Sequence, residues 1–118
     1  MSANSDKGYR LERDTRDYLR GAGLSVVRPQ HAGNHRDAGD IVGVEINGRP
    51  FLIECKNHAR LDLGTWLREA VAKSQHDGGA GAVVVHKRRG VGDPGRQYAT
   101  LELGDLVTLL LAATRPRS

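Results

Sequence analysis

Residues 39–56, GDIVGVEINGRPFLIECK, constrain the fold more than any other part of the chain. Two runs rich in β-branched and apolar residues, Asp40–Ile46 and Pro50–Lys56, are separated by Asn47-Gly48-Arg49. Asn-Gly in that place is a strong short-range signal for an antiparallel hairpin, because both residues tolerate the positive φ of a tight turn. An acid, Asp40, opens the first strand. Glu54 and Lys56 lie two apart on the second, so strand alternation puts that pair on one sheet face. Their neighbours Phe51, Leu52, Ile53 and Cys55 read as buried, and burying a carboxylate or an ammonium is costly unless it is paired or binds an ion.

Two carboxylates brought together across a hairpin also repel one another. A divalent cation removes that penalty and lowers the pKa of a bound water, a combination suited to hydrolysis of a phosphodiester. In this reading Asp40 and Glu54 hold Mg2+, for which Mn2+ can substitute, and the Cys55 backbone carbonyl is a further ligand. Lys56 orients the attacking water or neutralises charge on the reacting phosphate. Spacing alone leaves a plainer alternative open, in which Glu54 and Lys56 form an ion pair at the sheet rim.

The rest of the chain supplies layers for such a sheet. Between Tyr9 and Ala22, the residues Leu11, Thr15, Tyr18, Leu19 and Ala22 fall on one side of a helix, with Arg10, Arg13, Arg16 and Arg20 largely on the other. Gly21 and Gly23 close it, Leu24–Arg28 reads as a short strand stopped by Pro29, and Gln30–Gly39 reads as a loop. Leu63, Leu67, Ala70, Val71 and Ser74 mark the inner face of a second helix, capped by Asp62 or Thr65 and ended at Gly78-Gly79. Ala80–His86 is an apolar run expected to form a buried central strand, and Lys87–Arg96 a mobile basic loop. Tyr98–Leu103 reads as a strand and Gly104–Ala113 as a terminal helix with Asp105 near its cap. The order α-β-β-β-α-β-β-α predicts an α/β domain, a mixed sheet flanked by helices, over residues 8–113 with flexible ends at 1–7 and 114–118.

At 118 residues the chain has length for one core, and 27% charged against 38% hydrophobic residues excludes both a disordered chain and a bilayer span. Eighteen Lys and Arg against fourteen Asp and Glu leave a net charge of +4, with a pI near 9.6, which favours an anionic partner such as nucleic acid. One Phe, one Trp and three Tyr are too few for an aromatic stacking sheet. The lone Cys55 and the polar Met1–Lys7 segment point to a cytoplasmic protein.

Candidate DNA contacts are Arg10, Arg13 and Arg16 on the first helix, His35 and Arg36 in the loop before Asp40, and Lys87, Arg88 and Arg89 in the later basic loop. For each group a solvated charged surface is the plainer alternative. His31 and His35 have the spacing of a metal pair, but with a single cysteine no zinc site is expected. Asp37 competes with Asp40 as the strand acid, and Asp40 is preferred because it directly opens the strand paired with Glu54. Lys73 and Gln75 on the second helix are candidate accessory residues, with Gln75 kept as the stronger.

Asp40, thirteen residues, then Glu54-Cys55-Lys56 resembles the PD-(D/E)xK nuclease pattern, with Gly39-Asp40 in place of Pro-Asp. The upstream helix beginning GYRLER, the segment GLSVVRP and the polar loop into GDIV are similar to the archaeal-type Holliday-junction resolvases, the likeness covering roughly residues 8–87. The resemblance implies a restriction-endonuclease-like fold and a role in DNA recombination and repair. It also implies a Mg2+-dependent homodimer that places paired nicks in branched DNA. An acidic catalytic residue on the first helix of that family falls on Glu12, which becomes a fourth catalytic candidate and a further candidate metal ligand. On a helical wheel Glu12 lies where the apolar face meets the basic one, with a first-turn glutamate favoured by the helix dipole as the alternative.

The expected activity is therefore endonucleolytic cleavage of four-way junctions by a dimer, its interface formed by Leu106, Leu109, Leu110 and Leu111 or by the hairpin. Two rivals stand beside it: a restriction-type, single-strand or flap endonuclease of the same fold, and a catalytically silent DNA-binding module.

Overall fold

The computed structural model describes residues 3–27 and 40–116, with side chains from 7 to 27 and from 41 to 116. Its elements are α1 (Ala3–Gly21), β1 (Asp40–Ile41), β2 (Glu45–Ile46), β3 (Arg49–Lys56), α2 (Leu63–His76), β4 (Gly81–His86), a 3-10 turn (Pro94–Arg96), β5 (Tyr98–Thr100) and α3 (Leu103–Thr114). The α-β-β-β-α-β-β-α order holds.

The expected hairpin is present. Ile46 pairs with Arg49 across Asn47-Gly48, whose φ values of 55° and 79° make the two-residue turn that matches strand twist. The first hairpin strand, expected to be continuous from Asp40 to Ile46, is instead broken into β1 and β2 at Gly43. Gly43 has φ 120°, and a Cβ there would lie 2.4 Å from the Ser25 carbonyl oxygen. The break admits the segment after α1, which was expected to be a strand over Leu24–Arg28. Among the described residues that segment makes only an isolated antiparallel bridge, Val27 with Val42, through two hydrogen bonds of 2.8 and 2.9 Å. The predicted order thus survives with one expected strand absent and another divided.

β3 lies between β1 and β4, antiparallel to the first and parallel to the second, and β4 pairs antiparallel with β5, giving the mixed order β1-β3-β4-β5. Alternation along β3 splits its side chains between two layers. Ile53 and Cys55 join Leu11 of α1, Val26 and Ile41 in one apolar cluster. Leu52 packs on a second cluster, formed by Trp66 and Ala70 of α2 with Ala82 and Val84 of β4.

Helix boundaries differ from expectation at their caps. α1 begins six residues before Tyr9. It closes with Gly23 in the left-handed region and Leu24 N donating to the Leu19 carbonyl, which satisfies the last-turn carbonyls. At α2, Asp62 holds the cap position without a side-chain cap bond, and Thr65 Oγ1 accepts from Arg68. Asp105 stands near the cap of α3 as expected, in the first turn after the cap residue Glu102. Its Oδ2 accepts from Ala82 N at 3.1 Å and ties α3 to the first residues of β4. Apart from this tether α3 is lightly packed and has no buried residue. None of the described helices is long and apolar enough to cross a membrane.

Adding a methyl at Gly43 must displace backbone, whereas Gly48 has open space, so Gly43→Ala should destabilise the fold by more than about 2 kcal/mol and Gly48→Ala by about 1 kcal/mol in urea denaturation.

Candidate active site and nucleic-acid interface

The register places Asp40 directly opposite Glu54 and Ile41 opposite Ile53. Ile41 is fully buried against Ile53 and Cys55, so hydrophobic packing one residue further along each strand fixes that pairing. A slip by one residue would put Ile41 on the wrong face. Glu54 and Lys56 share the face of Leu52 and are half-buried, while Cys55 is buried on the other. The side chain of Asp40 lies outside the described residues, as do His31, His35, Arg36, Asp37 and the expected loop Gln30–Gly39.

Glu12 goes deeper than its wheel position suggested. It is 1% exposed, follows Leu11, which packs with Ile53 and Cys55 on either side of Glu54, and is among the largest fully buried side chains. A carboxylate so placed is not the solvated first-turn glutamate of the alternative reading, since α1 starts at Ala3 and Glu12 sits in its middle. Among the described residues no group of three or more His, Cys, Asp or Glu is arranged to hold a metal ion. The register opposes Asp40 and Glu54, two residues whose carboxylates are hard oxygen donors, across antiparallel strands.

Lys56 has His86 as its register partner on β4. His86 is 5% exposed, its Nε2 lies 2.8 Å from Thr100 Oγ1, and burial pushes its pKa below 6.5. This histidine was not singled out from sequence, because an apolar run ending in His reads only as the end of a strand.

The basic candidates separate into different roles. Arg13 and Arg16 reach Asp14 at 3.5 Å and Asp17 at 3.0 Å, and Arg20 Nε donates to the Val26 carbonyl at 2.7 Å. Arg10 alone of that face lines a groove, whose opposite wall includes Lys87, Arg88 and Arg89. The loop carrying those three, expected to be mobile, is tied down from within. Lys87 Nζ donates to the Arg88 and Val91 carbonyls, and Gln97 Nε2 donates to the Val91 and Asp93 carbonyls at 2.9 Å each. Gln97 Oε1 accepts from Arg88 N at 2.7 Å, and Asp93 caps the 3-10 turn. Gln75 is exposed and Lys73 half-buried on α2.

An acidic position pairing with a strand glutamate, a lysine two residues on, and a buried helical glutamate, all on a mixed sheet between helices, are the parts of a PD-(D/E)xK nuclease domain. The family profile described as archaeal Holliday junction resolvase (hjc) matches residues 3–70. The chain belongs to this family, a nuclease family that acts on Holliday junctions. No curated protein and no solved structure matches it.

Because the folded state disfavours protonated His86, the unfolded chain binds more protons below pH 6.5. Stability should therefore be full above that value and fall as pH drops toward the folded-state pKa. The urea midpoint of the wild type should fall more steeply than that of His86→Gln between pH 7.5 and 5.5. Parallel curves would remove His86 as the cause.

Proposed function

We propose that the chain is a Mg2+-dependent endonuclease that makes paired nicks in four-way DNA junctions as a homodimer. The observation that carries the reading is the strand register that sets Asp40 opposite Glu54, with Lys56 following on the Glu54 face. Asp40 and Glu54 would hold the metal, with the Cys55 carbonyl and Glu12 as further oxygen donors, and all four fit a hard cation that prefers oxygen. When bound, such an ion supplies a more acidic water and charge neutralisation at phosphorus.

The chain's own residues do the rest. Lys56 faces the same side as Glu54 and is the register partner of His86, which burial holds toward its neutral form. Lys56 orients the water and balances the negative charge that grows on the phosphate oxygens. Glu12, buried in mid-helix, would add a further carboxylate. The basic side chains Arg10, Arg88 and Arg89 attract the DNA backbone, with His35 and Arg36 as contacts at the scissile phosphate.

The dimer is supported by α3. Leu106, Leu110 and Leu111 are 39%, 52% and 60% exposed on a helix with no buried residue. An apolar helix face left bare is costly in water, and an isologous pair would cover it while setting two sites about the two-fold axis of a junction.

Glu54→Gln should lower cleavage of a synthetic four-way junction by at least about a hundredfold while junction binding persists. Mg2+ should raise the melting temperature of the wild type and leave that of Glu54→Gln unchanged. Cleavage at wild-type rate by the variant would refute the site. In a second test, Leu106→Glu with Leu110→Glu should halve the mass seen by light scattering and turn paired nicks into single, uncoordinated ones. An unchanged dimer would exclude α3 as the interface.

A further inference from the structure

Beyond the C-terminal ends of β3 and β4 lies a groove of about 660 Å3 that none of Glu12, Glu54 and Lys56 lines. One wall is a single stripe of α1, Lys7, Arg10, Leu11 and Asp14, whose spacing of three and four puts them on one helix face. Asn57 Nδ2 donates to the Lys7 carbonyl at 3.3 Å and anchors this end of α1 to the residue after β3. The opposite wall is the tied-down loop with Arg88 and Arg89. Among the described lining residues, Lys7, Arg10, Lys87, Arg88 and Arg89 thus face one carboxylate, Asp14, which Arg13 engages at 3.5 Å.

The groove also contains a flat stacking surface. The Arg88 guanidinium carbon lies 4.4 Å from the centroid of the Tyr98 ring, and Nη1 of the same arginine donates to the Arg96 carbonyl at 3.0 Å. His86 supports the Tyr98 ring edge-on, with centroids 6.0 Å apart, yet Tyr98 remains 55% exposed. The guanidinium plane and the ring are held in place before any ligand arrives.

We propose that this groove binds a stretch of strand whose bases have unpaired at the branch point of the junction, with phosphates on Lys7, Arg10 and Arg89 and a base stacked on the Arg88–Tyr98 pair. The proposal rests on the DNA-cleaving reading above and adds to it a site for a strand other than the one being cut. The stacking surface decides between single strand and duplex. Bases in a duplex have both faces covered by their neighbours, so a ring and a guanidinium inside a groove can act only on a base that has left its stack. The size agrees, since 660 Å3 is in the range of small-ligand sites and holds one or two nucleotides.

The test is fluorescence anisotropy of full-length protein with a labelled twelve-nucleotide oligothymidylate and with a labelled duplex of the same length, across a salt series. Tyr98→Ala should weaken oligothymidylate binding about tenfold and Tyr98→Phe by no more than about twofold, with duplex binding changed by less than about threefold in either. Arg89→Ala should flatten the dependence of log affinity on log salt by about 0.7 for the single strand. Should Tyr98→Ala unfold, the Arg89→Ala slope carries the test. Equal losses on duplex and single strand, or an unchanged salt slope, would overturn the groove assignment. Junction cleavage is measured in parallel: a wild type that cuts junctions without binding oligothymidylate refutes the groove alone. One that binds oligothymidylate and cuts nothing leaves the groove standing and refutes the nuclease reading.

Discussion

Strand β3 is hydrogen-bonded on both sides, to β1 and β2 along one edge and to β4 along the other, and everything of functional interest in the sheet is referred to it. Its register is held from three directions. The Asn47-Gly48 turn fixes the pairing at one end, the parallel pairing of Phe51 through Lys56 with Gly81 through His86 fixes it along the length, and buried Ile41 fixes it beside Glu54. A strand constrained in this way cannot slide to relieve the cost of half-burying Glu54 and Lys56. The two charged groups must therefore be accommodated where the register puts them.

The features that sequence revealed are those written in local pattern. Alternation marked Glu54 and Lys56 as sharing a face, Asn-Gly marked the turn, and the apolar run ending at His86 marked a central strand. What sequence did not reveal depends on contacts between distant residues. The interruption at Gly43 exists because the Ser25 carbonyl passes within 2.4 Å of where a side chain would start, and nothing near Gly43 in the chain announces it. Asp105 lies near the helix cap as expected, but nothing local announces that its carboxylate accepts from Ala82 N. Trp66 belongs to the α2 core and packs its ring 5.4 Å from that of His58, although it was not among the residues expected to form the inner face. Of the candidate site, the β3 residues and their opposition to Asp40 were legible. The depth of Glu12 was not, because a wheel drawn from Tyr9 onward cannot show what covers the helix.

Net charge gives a misleading picture of how this chain meets an anionic partner. Several arginines counted in the +4 are structural. Arg20 holds the chain after α1 through the Val26 carbonyl, and Arg49 binds the Gly78 and Gly79 carbonyls at 3.2 and 2.5 Å, joining the hairpin to the α2–β4 turn. Arg115 reaches Asn47 at 3.2 Å. These guanidiniums still add to the long-range field that speeds encounter with DNA, but forming close phosphate contacts would cost them bonds that hold the fold.

The groove cations also bond to backbone, Lys87 and Arg88 within their own loop and Arg89 to the Ala59 carbonyl, but those bonds fix a loop that borders the groove. Lys87 and Gln97 satisfy loop carbonyls, Asp93 caps the turn, and Arg88 itself bridges to the Arg96 carbonyl while its guanidinium lies over Tyr98. Rigid placement lowers the entropy lost when a nucleotide docks, because the stacking plane is already formed. The acidic register position and the basic groove are separate in charge as well as in place: Asp40 and Glu54 oppose one another on β1 and β3, whereas Arg10, Arg88 and Arg89 line the groove. Placed together, each set would neutralise the other. Their separation, with Lys56 two residues from Glu54 on the same face of β3, lets a single small sheet present both surfaces at once.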